Sequence, residues 1–596
     1  MEPRRGFVLT RHWQDAPSGT RVEFWLATDA GPLLVRLPEQ PSVAFLPAEQ
    51  RDRAEALLAA EPAGGKGIEL RPLRLRDFHH RPVLGLYCRH HRQLIQLEKR
   101  LGEAGITLYE ADIRPPERYL MERFITAPVS FQGRPDDTGT LVDARLKPAT
   151  DYRPRLALVS LDIETSARGE LYSIAVEGCG QRQVFMLGPS NGEATALDFQ
   201  LDYCDTRIEM LQRLNHWFAE HDPDVIVGWN LVQFDLRLLH ELSRRLGVPL
   251  ILGRGGSEME WRPHGQKSHH YFASAAGRLI IDGIEALRSA TWHFTPFSLE
   301  NVARTLLGEG KAIDNPYQRL DDILCMFAED KPALARYNLK DCELVTRIFA
   351  KTELLEFLLE RASVTDLPAD RSGGSVAAFT HLYLPRMHRE GFVAPNLGQG
   401  QADESPGGFV MDSSPGLYDS VLVLDFKSLY PSIIRTFLID PLGLVEGLRQ
   451  PDDSDSVPGF KGARFSRTRH CLPAMVASVW EGREAAKRAG NQPLSQALKI
   501  IMNAFYGVLG SKGCRFFDSR LASSITLRGH EIMHRTRELI EAEGYSVIYG
   551  DTDSTFVWLG RGHDEAEAGR IGEALVADVN RWWRDHLRQE YGLESA

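Results

Sequence analysis

The sequence predicts a multidomain protein of mixed α/β and α+β class, and three observations carry that expectation. Its 596 residues allow about four units at roughly 150 residues each. Two continuous apolar runs, Arg155–Ile163 (RLALVSLDI) and Val421–Phe426 (VLVLDF), read as buried strands in separate parts of the chain. Strand and helix patterns alternate after the first run as far as about residue 365, which suggests helices packed around a mixed sheet.

The elements follow in order. Residues 1–150 mix alternating segments such as Arg21–Ala27 (RVEFWLA) with a helical stretch near 91–104, and Pro115-Pro116 and Gln132–Thr140 are loop-like. The run at 155–163 is expected to be a central strand. Turn residues collect at Arg371–Ser375 (RSGGS) and Gly398–Gly408 (GQGQADESPGG) and mark a second boundary region. The strand at 421–426, a helical hairpin at 478–507, a strand pair at 545–559 and an amphipathic helix over Ala566–Ala596 complete the pattern. Gly490-Asn491 separates the two hairpin helices, and Pro493 suits a first helical turn.

Charge and cysteine usage narrow the function classes. The chain has 70 basic and 81 acidic residues, a net charge of -11, which excludes a small basic DNA-binding domain. The total conceals asymmetry: residues 71–100 hold eight Lys/Arg against two acids, and residues 461–520 hold eleven against three. Seven cysteines lie scattered without a C-x-x-C pair, which favours a reducing cytoplasmic setting over a zinc module. No apolar run reaches the roughly 18 residues of a membrane helix, and Met1–Trp13 has no signal-peptide core.

Carboxylates then form two constellations. Asp162 and Glu164 sit two apart at the end of the first apolar strand and project from one face. Such a pair repels itself unless a cation lies between, and hard divalent ions take oxygen ligands. A lone Asp-x-Glu is most often a pair of solvated acids, but two further segments match. Asp235 follows the apolar VIVGWNLVQF run, and Tyr337 and Asp341 in YNLKD share a helical face at i,i+4. In the second constellation Asp425 ends a strand, and Asp551 and Asp553 stand in a hairpin turn, YGDTDS. On the hairpin helices Arg483 and Lys487 share one face, as do Lys499 and Asn503. Arg483 and Lys499 each lie about 12 Å from the hairpin tip at about 1.5 Å per residue, so the hairpin can gather cations around a triphosphate.

Asp162, Glu164, Asp235 and Asp341 with Tyr337, in that order over 155–350, resemble proofreading 3'→5' exonucleases of the DEDD type. Asp425–Ile434 (DFKSLYPSII), Lys499–Gly507 (KIIMNAFYG) and Tyr549–Ser554 (YGDTDS) resemble motifs A, B and C of family B DNA polymerases, and most closely the bacterial DNA polymerase II branch. The resemblance implies an N-terminal domain over 1–150 and an RNase H-like exonuclease over 151–365. It implies a palm with an antiparallel sheet over 366–470 and 511–596, and helical-hairpin fingers over 471–510. It implies two Mg²⁺ or Mn²⁺ ions per centre, held by Asp425, Asp551 and Asp553 and by Asp162, Glu164, Asp235 and Asp341, with Tyr337 orienting the attacking water. Arg483, Lys487, Lys499 and Asn503, with backbone amides at Ser428 and Leu429, would bind the incoming triphosphate. Tyr430 would exclude a 2'-hydroxyl, and Tyr506 and Gly507 would lie against the nascent pair. The implied partners are primer–template DNA, dNTPs and a sliding clamp, with no membrane, in the bacterial cytoplasm at the nucleoid. The implied task is replication restart or repair.

Two departures from the family pattern stand out. Ser405-Pro406-Gly407-Gly408 replaces the usual Tyr-x-Gly-Gly element. No Lys-rich motif or helical thumb follows Asp553 before Ala596, so the thumb is expected to be absent. An enzyme working only as an exonuclease, and a non-catalytic DNA-binding subunit, stand as alternatives to a polymerase.

Overall fold

The computed structural model describes residues 4–60, 66–191, 196–263, 270–310, 319–403, 405–450 and 453–595. Glu404, inside the expected boundary region, and Ala596 lie outside the described residues. The chain folds as two compact units, one of residues 1–41 and 114–374 and a second of residues 42–113 and 375–596. Residues 1–150, read above as one N-terminal domain, are therefore shared between both. The later division falls at Gly374, inside the turn-rich RSGGS run, where Gly373 and Gly374 take φ of 67° and 92°.

In the first unit, strands Arg4–Ala16, Gly19–Thr28, Gly31–Arg36, Leu141–Pro148 and Pro128–Pro135 close into a barrel in that order. The alternation in RVEFWLA sends Val22, Phe24 and Leu26 into its core, each fully buried. A six-stranded mixed sheet follows, ordered Gln200–Cys204, Gln181–Leu187, Leu171–Gly178, Leu158–Thr165, Val225–Gly228 and Leu279–Asp282. Leu158–Thr165 is central, antiparallel to Leu171–Gly178 and parallel to Val225–Gly228, which explains its continuous apolar character. The Arg207–His221 and Asp235–Leu246 helices contribute to its main core, and Lys331–Thr352 to a second cluster with Tyr172, Val184 and Met186.

In the second unit, Ser42–Pro47, Pro82–Cys88 and Ile68–Arg76 form an antiparallel sheet with Pro82–Cys88 in the middle, packed on the His91–Glu103 helix. A second antiparallel sheet runs Val421–Asp425, Ser554–Trp558, Ser546–Asp551. Val421–Asp425 differs from the buried strand expected of VLVLD. Its burial alternates, with Val421 37% and Val423 55% exposed. The Glu565–His586 helix approaches one face, where Leu422 lies against Gly572; an antiparallel sheet can leave its other face in water. The expected helical hairpin is present as Leu472–Arg488 and Gln492–Leu509. Gly490 takes φ 69°, and Asn491 Oδ1 caps the second helix by accepting from Leu494 N–H at 3.0 Å. The terminal helix buries Gly572, Leu575, Val579 and Trp583 along one stripe, the amphipathic pattern expected.

Candidate active sites

The site in the first unit is built on three elements. Asp162 and Glu164 lie on the Leu158–Thr165 strand, and Asp341 lies on the buried side of the Lys331–Thr352 helix. Their ligand oxygens all fall within 4.8 Å of one another; no other such group of three metal-ligating residues occurs among the described residues. Glu164 and Asp341 are buried. Three crowded carboxylates in so little water fit a divalent cation, because a cation among them relieves the repulsion between like charges.

Asp235 stands outside that group but beside it. It opens the Asp235–Leu246 helix, and its Oδ1 accepts from Ile163 N–H at 3.0 Å. Burial, and then the charge of Asp162, pushes its carboxyl well above the ordinary range. Tyr337 lies one turn before Asp341, 2% exposed and packed in the cluster with Tyr172 and Leu339. A residue that sequence reasoning passed over joins them: Asn338 Nδ2 donates to Asp162 Oδ2 at 2.7 Å, while its Oδ1 accepts from Ser173 Oγ at 2.7 Å. Asn338 is completely buried, and its only sequence signal was its place inside YNLKD.

The site in the second unit sits at the turn end of its sheet. Asp425 and Asp551 both lie opposite Ser554 in register, so the two carboxylates flank the middle strand. Ser554 Oγ donates to Asp425 Oδ1 at 2.7 Å. Asp553 is held in the turn by its own N–H, which donates to Asp551 O at 2.6 Å, and by its carbonyl, which accepts from Phe426 N–H at 2.8 Å. Burial raises the Asp553 carboxyl first, then the charges of Asp425 and Asp551. The trio is more open than the first cluster, but the same like-charge repulsion makes it suited to a divalent cation.

Beyond Asp425 the chain reverses at Ser428, φ 52°, and enters the Leu429–Thr436 helix. Tyr430 meets Tyr506 at 4.6 Å between centroids. Gly529 lies beneath it; a Cβ there would stand 3.3 Å from Tyr430 Cε1. Burial, with Tyr506, Asp553 and Asp551, pushes the Tyr430 phenol up to about 12. On the hairpin, Lys499, Asn503 and Gly507 form an exposed stripe one turn apart. Arg483 is half-buried, and its Nε has no hydrogen-bond partner among the described residues. Lys487 Nζ is paired with Glu484 at 3.2 Å, and Glu484 also holds Lys427 at 3.3 Å. The expected cation group thus contains an acid the sequence reading did not weigh. Gly408, in the segment replacing Tyr-x-Gly-Gly, backs onto Thr552 and the Tyr430 hydroxyl, and Thr552 N–H donates to Phe409 O at 2.7 Å.

Comparison with known proteins identifies the class. A family model described as DNA polymerase family B matches residues 372–591, and that for the family B exonuclease domain matches residues 106–302. The chain belongs to the family B DNA polymerases and carries the polymerase and 3'→5' exonuclease domains of that family. Among individual proteins it is 66% identical over 585 residues to DNA polymerase II of Escherichia coli K12, covering 98% of this chain and 74% of that protein. Models of the DNA polymerase II N-terminal and insertion domains match residues 6–41 and 42–106; the latter lies wholly in the second unit. A DNA polymerase of Desulfurococcus strain Tok is 27% identical over 533 residues, covering 84% of this chain and 64% of that one. The structure of the Pyrobaculum calidifontis family B polymerase shares the fold, with a TM-score of 0.74 at 24% identity over 99% of this chain and 77% of that one. These matches support a catalytic DNA polymerase over the exonuclease-only and binding-only alternatives. Catalysis in this family depends on divalent metal, which the acidic cluster is suited to hold. Among the described residues no helix is long and apolar enough to cross a membrane.

Proposed function

We propose that this chain extends primer 3' ends with dNTPs at the Asp425–Asp551–Asp553 centre and removes mispaired 3' nucleotides at the Asp162–Glu164–Asp235–Asp341 centre. The observation that carries the reading is the presence of two groups of like-charged carboxylates, one in each unit: a tight cluster of Asp162, Glu164 and Asp341, and a more open trio of Asp425, Asp551 and Asp553. Mg²⁺ or Mn²⁺ at these residues would supply charge neutralisation for the departing oxygens and acidify the attacking hydroxyl or water.

The protein's own groups do the rest. Arg483, Lys487, Lys499 and Asn503 grip the triphosphate through charge-assisted hydrogen bonds. The backbone N–H groups of Ser428 and Leu429 stand at the start of a helix, a position that favours phosphate. The Tyr430 ring, held between Tyr506 and Gly529, forms the floor under the sugar and rejects a 2'-hydroxyl. The primer 3'-oxygen displaces pyrophosphate in line from the α-phosphorus, and its proton leaves to solvent. In the other centre Tyr337 orients the attacking water. Template sequence is read by pairing, so contacts to the duplex are to phosphates. The unpaired thiols of all seven cysteines support a reducing cytoplasm, with the substrate placing the enzyme at the nucleoid in replication restart or repair. A sliding clamp is included on the family resemblance alone. The domain boundaries stated above, 151–365 for the exonuclease and 471–510 for the fingers, are part of the same proposal.

The test is a labelled primer–template incubated with Mg²⁺, with and without dNTPs. The parent should lengthen the primer with dNTPs and shorten it without them. Asp162→Ala with Glu164→Ala should abolish shortening alone, and Asp553→Ala should abolish lengthening alone. Full-rate digestion by the double variant, or unaltered extension by Asp553→Ala, would reject the corresponding assignment.

A further inference from the structure

Asp440, outside both carboxylate centres, is completely buried and accepts hydrogen bonds from three backbone N–H groups and a phenol. Its Oδ1 accepts from Gly443 N–H at 2.5 Å, and its Oδ2 from Cys471 N–H at 2.9 Å and Leu472 N–H at 2.7 Å. The Tyr383 hydroxyl lies 3.0 Å from both oxygens, and itself accepts from Leu442 N–H at 3.0 Å. One carboxylate therefore caps the Pro441–Gly447 helix and the hairpin helix Leu472–Arg488 together, placing negative charge at two positive helix ends. Burial pushes this carboxyl up, and the three N–H donors and the phenol pull it back. Tyr383 is fixed by stacking on Phe379 at 5.2 Å and by Phe516 edge-on at 4.8 Å.

The position of this knot in the chain gives it meaning. Asp440 ends the segment that begins with Asp425 and carries Tyr430. The helix it caps carries Arg483 eleven residues beyond Leu472, about 16 Å along the axis. The same segment makes three further contacts with that helix: Lys427 and Arg435 both approach the Trp480 ring, at 5.1 and 5.2 Å, and Lys427 pairs with Glu484. The Lys427–Glu484 tie has side chains 60% and 31% exposed and is weak in water. The Asp440 knot is dry.

We propose that Asp440 is a positioning residue: it is the fixed root of the nucleotide-binding helix, holding Arg483 and Lys487 in register with Asp425 and Tyr430, which the exposed Lys427–Glu484 tie further along is too weak to do alone. This rests on the polymerase reading above. Loosening the root misplaces the phosphate-binding cations before it affects the exonuclease unit, so the defect is one of nucleotide binding. Asp440→Asn puts an amide NH₂ against N–H donors, and loses a charge-assisted acceptor. It should raise KM for dNTPs about ten-fold, with kcat changed less and primer digestion without dNTPs unchanged. Tyr383→Phe keeps the carboxylate and its three N–H bonds, and should raise KM about three-fold.

Unchanged KM in Asp440→Asn overturns the proposal. So does an equal fall of kcat and digestion at constant KM, which marks a merely structural role through loss of folded protein. If Asp440→Asn does not fold, Tyr383→Phe decides: a raised KM with intact digestion supports the root, and an unchanged KM overturns it. A parent that fails to extend primers rejects the polymerase reading and this inference with it, whereas a parent that extends beside an Asp440→Asn of unchanged KM rejects this inference alone.

Discussion

Asn338 bridges Asp162 and Ser173 and leaves Asp162 only limited freedom to turn. Outer partners that orient metal-ligating carboxylates are typically worth ten- to hundred-fold in affinity or activity. Asn338→Leu should therefore slow primer digestion about ten- to hundred-fold while extension by the same preparation is unaltered; a variant that digests at the parental rate would remove the positioning role. Tyr430 belongs to the same scale. Its ring packs against Tyr506 and the backbone of Gly529, contacts that oppose its displacement. Tyr430→Ala should incorporate ribonucleotides at a markedly raised rate relative to deoxynucleotides, and primer extension with each sugar measures the ratio. Carboxylates, tyrosine and spacing were visible in the sequence for both centres. Asn338 and Gly529 were not, because their importance comes from what the fold places against them.

At the level of elements, the exonuclease sheet depends on a tight crossing at Gly178. This residue takes φ +146°, and a Cβ there would stand 2.1 Å from Leu158 O and 2.7 Å from Val159 Cα. Both obstacles are backbone of the strand that carries Asp162 and Glu164, so relief requires the strand itself to shift. Gly178→Ala should cost about 3 kcal/mol of stability, read as a lowered urea midpoint, and should weaken digestion more than extension. A urea midpoint matching the parent's would show that the sheet tolerates the displacement. The period-two and period-3.6 patterns made most elements legible: RVEFWLA, RLALVSLDI and the Gly490-Asn491 break formed where expected, and the terminal helix began where expected but ends at His586, with one further turn to Tyr591. Val421–Asp425 did not follow the continuous burial read from VLVLD, because an apolar run states affinity for a core on either side without stating whether a layer exists to cover both.

For the whole molecule, all seven cysteines are free and five of them are buried. Burial pushes the Cys88 and Cys471 thiols up to about 12, and a protonated, inaccessible thiol is inert. Native thiol titration at neutral pH should find Cys325 reacting first and Cys179 more slowly, with the remaining five appearing only in denaturant; rapid reaction of all seven would contradict the described packing. Chelation should silence lengthening and shortening of primers together, and added Mg²⁺ should restore both. If either activity persists in excess chelator, its carboxylate centre is not a metal site.

The sequence by itself determined the chemistry of this protein: seven carboxylates in two ordered constellations, basic residues on a helical hairpin, and the strand and helix periods that expose them. Side-chain types and the spacings of two, three or four residues within each motif are local and can be read without a fold, and the family resemblance is what joined the distant motifs into two constellations. Only the tertiary structure decided which groups meet. It drew Asp341 to Asp162 and Glu164 across nearly 180 positions, put Asp235 just outside that cluster, divided residues 1–150 between two units, and buried Asp440 where three helices of the chain converge on one carboxylate. Meetings of that range depend on how whole elements pack, and packing is decided by shape and burial summed over many residues rather than by any local pattern.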